Sequence, residues 1–439
     1  MNPHVILLAA GKSSRTWPIA EKTLFRFCGK TVLEHQIDTL AIAGLNRICV
    51  VGNDENIEAL RSVCAGITGV QFAFAIQHDL DEGIRGGILA ATEVLTGDEP
   101  ILVVCSNDMV ENSVYTNLLD KAQNSEVDMF LVGKIVENYF PGGYLSVSGE
   151  NSRITSIVEK PGAGNEPSNL VTLLVHLFRN PQQLFAALRQ VATGDEYEAV
   201  LQRLFDDGVL AEAVEYDGFW QAIKYPWHLL DLTEYFLAQI TAPDIDTTAQ
   251  IAESAVIRGN VVVAAGARIF DHAVINGPAY IGPNTIIANH ALVREAIIEA
   301  DCVVGHTTEV ARSVLQPHCW LHQNFVGDSI FDNNVSLGAG ARTANLRLDE
   351  QEIASVIKGE KLYSQKTKFG TVIGKNVRIG INASVMPGVK IGSESFLGAG
   401  GVYATDIPEK QFTYPEFQFT SQVNRACAPV RAETPNNTD

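Results

Sequence analysis

The sequence predicts an α/β domain with a parallel sheet and helices on both faces, followed by a parallel β-helix. Two observations carry this. In the first half, short apolar runs alternate with segments of helical spacing. In the second half, apolar residues fall on a fixed count: Ile251, Ile257, Val263, Ile269, Ile275, Ile281, Ile287 and Val293, each six after the last. A period of six suits neither an amphipathic helix nor an alternating strand. It suits a coil of three flat faces, one hexapeptide per face, with the branched residue inward and small or polar residues at the corners.

In chain order, residues 5–10 read as a buried strand and 11–22 as a polar loop. Residues 32–43 have helical spacing, and 48–51 read as a second strand. Helices at 56–64 and 87–95 then alternate with strands at 70–76 and 101–105. Beyond Asp128 the pattern loosens into short strands, 154–158 and 171–178 among them. A helix at 196–207 and strands near 210–214 and 219–223 follow. Residues 227–240 read as an amphipathic helix ended by Pro243. The expected division is a first domain over 1–226, a linker helix over 227–245, the β-helix over 246–407 and a tail over 408–439. The phase of six shifts by one at Ile298, is hard to follow from Val314 to Gly370, and returns at Ile373, Ile379, Val385, Ile391 and Leu397. The polar end, 432–439, reads as disordered.

A chain of 439 residues is long enough for two or three domains. Its net charge of −19 disfavours nucleic acid and anionic membrane surfaces as partners. A small phosphate ligand needs only a local positive site and stays open. The seven cysteines contain no CxxC pair, so neither a zinc site nor a disulfide framework is expected. Reduced thiols in a cytoplasmic protein are the expectation. The apolar run 5–10 is too short for a signal peptide or a membrane span.

Ligands of open α/β sheets bind beyond the carboxyl ends of the strands. Two loops stand there. The first reads Leu8-Ala9-Ala10-Gly11-Lys12-Ser13-Ser14-Arg15, with Lys22 further on. Small residues let backbone N–H groups approach a phosphate, and Arg15 and Lys22 add charge. The second, Ser106-Asn107-Asp108, offers a carboxylate to Mg²⁺, which takes one or two carboxylates plus phosphate oxygens. Each feature alone is common in solvated turns; together on one sheet edge they point to a polyphosphate. In the β-helix, polar residues crowd where the count of six is lost: His318, His322, Gln323, Asn324, Asp328 and Asn345. A lone histidine in such a place is more often structural than a base.

The first loop, together with Gly29-Lys30-x-Val32-Leu33-Glu34-His35, resembles the signature of sugar-1-phosphate nucleotidylyltransferases. Over nearly its whole length the chain is similar to bifunctional N-acetylglucosamine-1-phosphate uridylyltransferase/glucosamine-1-phosphate acetyltransferases. Asn345-Leu346-Arg347, Ile379-Gly380-Ile381-Asn382 and Met386-Pro387-Gly388 resemble the archaeal-type enzymes of this kind. The resemblance implies a Rossmann-like (GT-A-like) domain, a left-handed β-helix, and a homotrimer with CoA sites at its interfaces. It implies that Leu8, Ala9, Ala10, Gly11, Gln77 and Gly83 meet the base and ribose. Arg15 and Lys22 would grip the phosphates, Asp108 would hold Mg²⁺, and Glu159 and Lys160 would meet the sugar phosphate. The implied reaction is nucleotidyl transfer from UTP or dTTP to a sugar 1-phosphate. In the second domain it implies that His322 takes the proton of an amino sugar as the amine attacks acetyl-CoA, with His318 as the alternative base. Asn345 would orient the amine or steady the oxyanion, Lys368 would face substrate or CoA, Arg294 would bind the sugar phosphate, and Ala399 would present backbone to the CoA.

The chain departs from that family at named positions. Glu21 stands for a proline, Leu145 for a glycine, Thr172 and Leu174 for an asparagine and a glycine, and Ala222 for a metal-binding aspartate. In the second site Phe325 stands for a tyrosine, Ala311 for a lysine and Ser336 for an asparagine. Three readings remain: two active sites with altered specificity, a nucleotidylyltransferase with a structural β-helix, or a nucleotide-sugar-binding protein without turnover.

Overall fold

The computed structural model describes residues 2–426 apart from 96, 192, 193 and 195. The end expected to be disordered, 432–439, lies outside the described residues. The first half builds one nine-stranded sheet. His4–Leu8 lies within it, parallel to Arg47–Gly52 on one side and Ile101–Cys105 on the other. Gln71–Ile76 extends this parallel half. These strands are apolar runs because both faces are covered. Val5 and Leu7 meet the helices Val32–Ile42, Ile57–Cys64 and Ser113–Gln123, while Ile6 meets Gly83–Ala91 and the cluster around it. The first of these helices starts at a capping box between Thr31 and Glu34.

The sheet is not parallel throughout, which corrects the expectation. Leu170–Phe178 runs antiparallel to Ile101–Cys105, and an antiparallel pair, Gly143–Ser148 with Arg153–Glu159, forms the far edge. Hydrophobic runs do not encode strand direction. From Met129 to Phe178 the strands follow too closely for helical crossovers and return antiparallel; after the helices Pro181–Arg189 and Tyr197–Asp206, Ala211–Glu215 comes back parallel to Met129–Ile135.

The second half is a left-handed β-helix of three parallel ladders, running from Asp244–Ile245 to Phe412–Thr413, beyond the expected limits of 246 and 407. The first face holds Val261–Val263 and Ala279–Ile281, the second Arg268–Ile269 and Ile286–Ile287, and the third Leu292–Arg294 and Phe325–Gly327. Inward residues stack coil on coil, as in Val263, Ile281, Ile298, Leu315 and Phe331, all buried.

The stack persists through the stretch where the count is hard to follow. Val326 lies on Val310, Phe331 on Leu315 and Leu337 on Leu321. Corners there are one residue shorter, so the phase slips while the core stays continuous. The real excursion comes later, between Arg342–Thr343 and Val372–Ile373. It carries an antiparallel hairpin, Ala354–Ile357 with Glu360–Tyr363, before the first ladder resumes.

The expected linker helix is shorter, His228–Ala238, and ends before Pro243 is reached. It is buried between the halves. Leu229, Leu232, Phe236 and Leu237 share one apolar cluster with Phe25, Phe27 and Val32 of the first half and Tyr280, Ile297 and Val314 of the β-helix. Polar contacts fix the register. Arg26 N donates to Gln316 Oε1 (2.8 Å), Gln316 Nε2 donates to Arg26 O (2.9 Å), and Gly29 N donates to Glu299 Oε1 (3.1 Å). Gly29 has φ +86°, and a Cβ there would meet the Tyr280 hydroxyl at 2.6 Å. Glycine therefore meets both the turn and the close approach. Among the described residues, no helix is long and apolar enough to cross a membrane.

Candidate active sites

A cavity of about 610 Å³ opens at the carboxyl ends of the parallel strands. The loop after His4–Leu8 forms one wall and is held from behind. Asn53 Nδ2 donates to Ala10 O and Asn56 Nδ2 to Ala9 O, both at 2.9 Å, and both asparagines are buried. Glu21 turns toward this brace, accepting from Asn56 Nδ2 at 3.3 Å, and burial raises its pKa. Gln77 Nε2 donates to Gly83 O at 2.9 Å. A Cβ on Gly87 would fall 2.7 Å from Leu8 Cδ2 and 3.2 Å from Gln77 Oε1. Leu8, Ala9, Ala10, Gly11, Gln77 and Gly83 thus share one edge of the sheet.

Arg15, Lys22, Asp108, Glu159 and Lys160 all line the cavity. Lys22 is buried and donates to Ile223 O at 3.0 Å; burial lowers its pKa. Burial pushes the Asp108 carboxyl up, with Lys224 drawing it back. Arg15 is exposed and makes no hydrogen bond or ion pair among the described residues. Lys160 Nζ pairs with Glu159 Oε1 at 2.5 Å, while Glu159 Oε2 is buried with no hydrogen-bond partner.

Two features of this cavity escaped the sequence reading. Lys224 Nζ donates to Pro141 O at 2.7 Å and sits 3.6 Å from the centre of the Phe140 ring. Burial lowers its pKa to about 8, against the pull of Asp108. Its signal was available: it lies two residues past Ala222. A polar chain also lines the floor. Thr172 Oγ1 meets His176 Nε2 at 2.9 Å, and His176 Nδ1 meets the Tyr197 hydroxyl at 2.8 Å. Burial lowers the His176 pKa to about 3, so the ring is neutral. Its residues are scattered through a strand and a helix, and no local pattern links them.

Ala222 pairs directly across from Asp108 in a two-stranded ladder. A second carboxylate at 222 would face Asp108; a methyl does not coordinate. Among the described residues, no group of three or more His, Cys, Asp or Glu side chains could hold a metal. The donor set therefore fits Mg²⁺ only as an ion shared between Asp108 and phosphate oxygens, which that cation accepts. Leu145 does not line the cavity. Its side chain lies in the core with Ile157 and Ala213, fully buried. Gly143 lines the cavity instead, where a Cβ would come within 3.0 Å of Thr172 Cγ2. Thr172 and Leu174 do reach the cavity.

In the β-helix the expected residues separate into three places. His322 lies at the corner between Trp320–Leu321 on the second face and Phe325–Gly327 on the third. Its imidazole is exposed and makes no hydrogen bond among the described residues, while its backbone N–H donates to Asn324 Oδ1 at 2.6 Å. Ala399 occupies the same corner further along, between Phe396–Leu397 and Val402–Tyr403. Arg294, Asn345 and Lys368 stand at the other end of the third face. His318 is at a different corner again, between the first and second faces, in the left-handed conformation that Asn284, Asp301 and Asn334 take in neighbouring coils. That column gives it a structural role.

The corner that holds Lys368 opens into a second cavity, of about 470 Å³, beside the buried helix. Arg312 grips Asp328 with two bonds, 2.7 and 2.8 Å, and Asn345 Nδ2 donates to the same carboxylate. A Cβ on Gly327 would fall 2.6 Å from Asn345 Nδ2, so glycine makes the room for that amide. Arg294 is already paired, with Nη2 2.6 Å from Glu309 Oε1. The Arg312–Asp328 pair was not singled out from sequence; the two lie in successive coils, and only stacking joins them.

Fold and cavity define a class: a nucleotide-handling α/β transferase domain fused to a hexapeptide β-helix. The family model "Nucleotidyl transferase" matches residues 4–233, and "Bacterial transferase hexapeptide (six repeats)" matches 370–402. The chain belongs to the nucleotidyl transferase family. It is 29% identical to a "Bifunctional protein GlmU" of Methanococcus vannielii, covering 93% of this chain and 97% of that protein. It is 30% identical to a protein of the same name from Methanococcus maripaludis, covering 93% and 96%. A "Bifunctional sugar-1-phosphate nucleotidylyltransferase/acetyltransferase" of Sulfurisphaera tokodaii is 28% identical, covering 92% and 98%.

Proposed function

We propose that the chain carries two transferase sites for making a nucleotide-activated N-acetyl sugar. Nucleotidyl chemistry falls to residues 1–226 and acyl chemistry to the β-helix, Asp244–Ile245 to Phe412–Thr413, with the helix His228–Ala238 joining them. The carrying observation is the cluster of Lys22, Asp108 and Lys224 in one cavity, beside a loop whose carbonyls are tied back.

A sugar phosphate oxygen attacks the α-phosphorus of UTP or dTTP; that P–O bond forms as the α–β bridge breaks, and pyrophosphate leaves. Lys22 and Arg15 offset the charge that builds on the phosphates, and Lys224 adds a cation beside Asp108. Mg²⁺, when bound, would be held by Asp108 and phosphate oxygens and would neutralise further charge. Leu8 to Gly11, Gln77 and Gly83 would hold base and ribose. Glu159 and Lys160 would position the acceptor, with Thr172 and Leu174 reshaping its pocket.

In the second reaction the nitrogen of an amino sugar phosphate attacks the acetyl-CoA carbonyl. The C–N bond forms, the C–S bond breaks, and the CoA thiolate leaves. His322 takes the amine proton, and Ala399 offers backbone to the CoA. Asn345 orients the amine, and Lys368 and Arg294 face the substrate. His322 and Asn345 sit at opposite ends of one face, so this site is completed where two copies meet, and a homotrimer supplies such contacts. The six described cysteines are free thiols, which suits a reducing cytoplasm.

The test supplies purified protein with Mg²⁺, triphosphates, sugar 1-phosphates and acetyl-CoA, and follows pyrophosphate and free thiol separately. Both products are expected. Neither product from any combination would overturn the proposal.

A further inference from the structure

The excursion between the third and first ladders ends in a two-residue hairpin turn, Lys358-Gly359, with Ile357 paired to Glu360. Both turn residues have positive φ, 50° and 85°. Asparagine or glycine takes this turn with least strain; here position 358 carries a lysine. That lysine belongs to the β-helix half, yet it lines the nucleotidyl cavity of the first half. It also lines a smaller neighbouring cavity of about 300 Å³. Ser14 and Arg15 of the phosphate loop line both, so the two cavities share a rim.

The hairpin is held firmly. Lys390 is buried and donates to Ser355 Oγ (2.9 Å), Val356 O (2.6 Å) and Asp406 Oδ2 (2.6 Å). Ser355 Oγ donates to Gly388 O at 2.9 Å, and Ile353 and Ile357 enter the apolar cluster shared by the two halves. The phosphate loop is braced from the same side, with Trp17 Nε1 donating to Glu409 Oε1 at 3.3 Å. Lys390 is satisfied by these partners. Lys358 and Arg15 make no hydrogen bond or ion pair among the described residues, and both stand on the shared rim.

We propose that Lys358, lent by the β-helix half, binds the β- and γ-phosphates of the nucleotide and the pyrophosphate they become. The polyphosphate then lies between Arg15 and Lys358, across the junction of the two halves. This rests on the nucleotidyl-transfer reading above and adds a residue from outside the transferase domain to it.

The experiment is calorimetry of the full chain with inorganic pyrophosphate, in Mg²⁺ buffer, for wild type, Lys358→Gly and Lys358→Arg. Glycine suits the left-handed turn, so the hairpin is retained; an unchanged Tm checks this. The expected result is about tenfold weaker binding for Lys358→Gly, recovered by Lys358→Arg, as for loss of one charge-assisted contact. In turnover, KM rises for the triphosphate and not for the sugar phosphate. Equal pyrophosphate affinity in wild type and Lys358→Gly would overturn the proposal, as would wild type that binds no pyrophosphate. Lys358-dependent binding without turnover of any substrate pair would instead sink the nucleotidyl-transfer reading and leave the Lys358 contact standing.

Discussion

The two chemistries of this chain rest on opposite geometries. The α/β half is concave where it matters: loops from several strands fold over one sheet edge, and Lys22, Asp108, Glu159, Lys160 and Lys224 converge on one cavity within a single chain. The β-helix is a prism with flat faces and convex corners. His322 stands at one end of its third face, and Asn345 and Lys368 at the other. A concave sheet edge gathers its groups within one chain, with Lys358 reaching in from the same chain's hairpin, whereas on the proposed reading a prism presents half-sites that a second prism completes. The difference separates what the proposal asks of each region: the first site is closed by groups of one chain, the second by groups of two.

That contrast can be broken by single substitutions. The largest effect is expected for His322→Ala, which removes the proposed general base; thiol release falls by about a thousandfold while pyrophosphate release is unchanged. Loss of pyrophosphate release as well would mean that the sites are not separate. Asp108→Asn does the converse. Pyrophosphate release drops by about a hundredfold or more, and thiol release holds.

A pH profile sharpens the account of the cavity. Lys224 has a pKa lowered to about 8 by burial, so its charge is present below that pH and lost above it. The kcat/KM for nucleotidyl transfer should fall as pH rises through about 8. Lys224→Arg, which stays charged, removes that descending limb; a limb that persists in the variant would assign it elsewhere.

The smallest effect concerns the joint between the halves. Burial raises the Glu299 pKa from 4.5 to about 7, although the Gly29 N–H favours the ionised form. A raised carboxyl pKa stabilises the folded state below the unfolded value, and that contribution is lost as pH rises through the folded value. Tm should therefore fall by a few degrees between pH 6 and pH 8, a drop that Glu299→Gln flattens. A Tm that rises over that window would contradict it.

Much of this was legible in the sequence because it is local. The count of six marks inward residues directly, and Leu8 to Arg15 with Lys22 lie within one loop. What was illegible depends on distant contacts. Lys358 reaches the first half's cavity from a hairpin in the second half, and Gln316 clamps Arg26 from 290 residues further along the chain. Strand direction after Asp128 leaves no hydrophobic signature. The apparent loss of the repeat after Val314 came from corners one residue shorter, which shift a count without disturbing the stack of Leu315 on Ile298 and Phe331 on Leu315.

The central claim, one self-contained site and one shared site, is tested most directly by mixing inactive chains. Chains carrying His322→Ala and chains carrying Asn345→Ala are unfolded together, refolded as mixed oligomers and assayed for thiol release. Each alone is inactive. The mixture should recover about a quarter of wild-type activity, the chance that a random interface pairs the two intact partners. The same mixing of Lys22→Ala with Asp108→Asn should recover no pyrophosphate release. No recovery in the first mixture, or recovery in the second, would contradict the account.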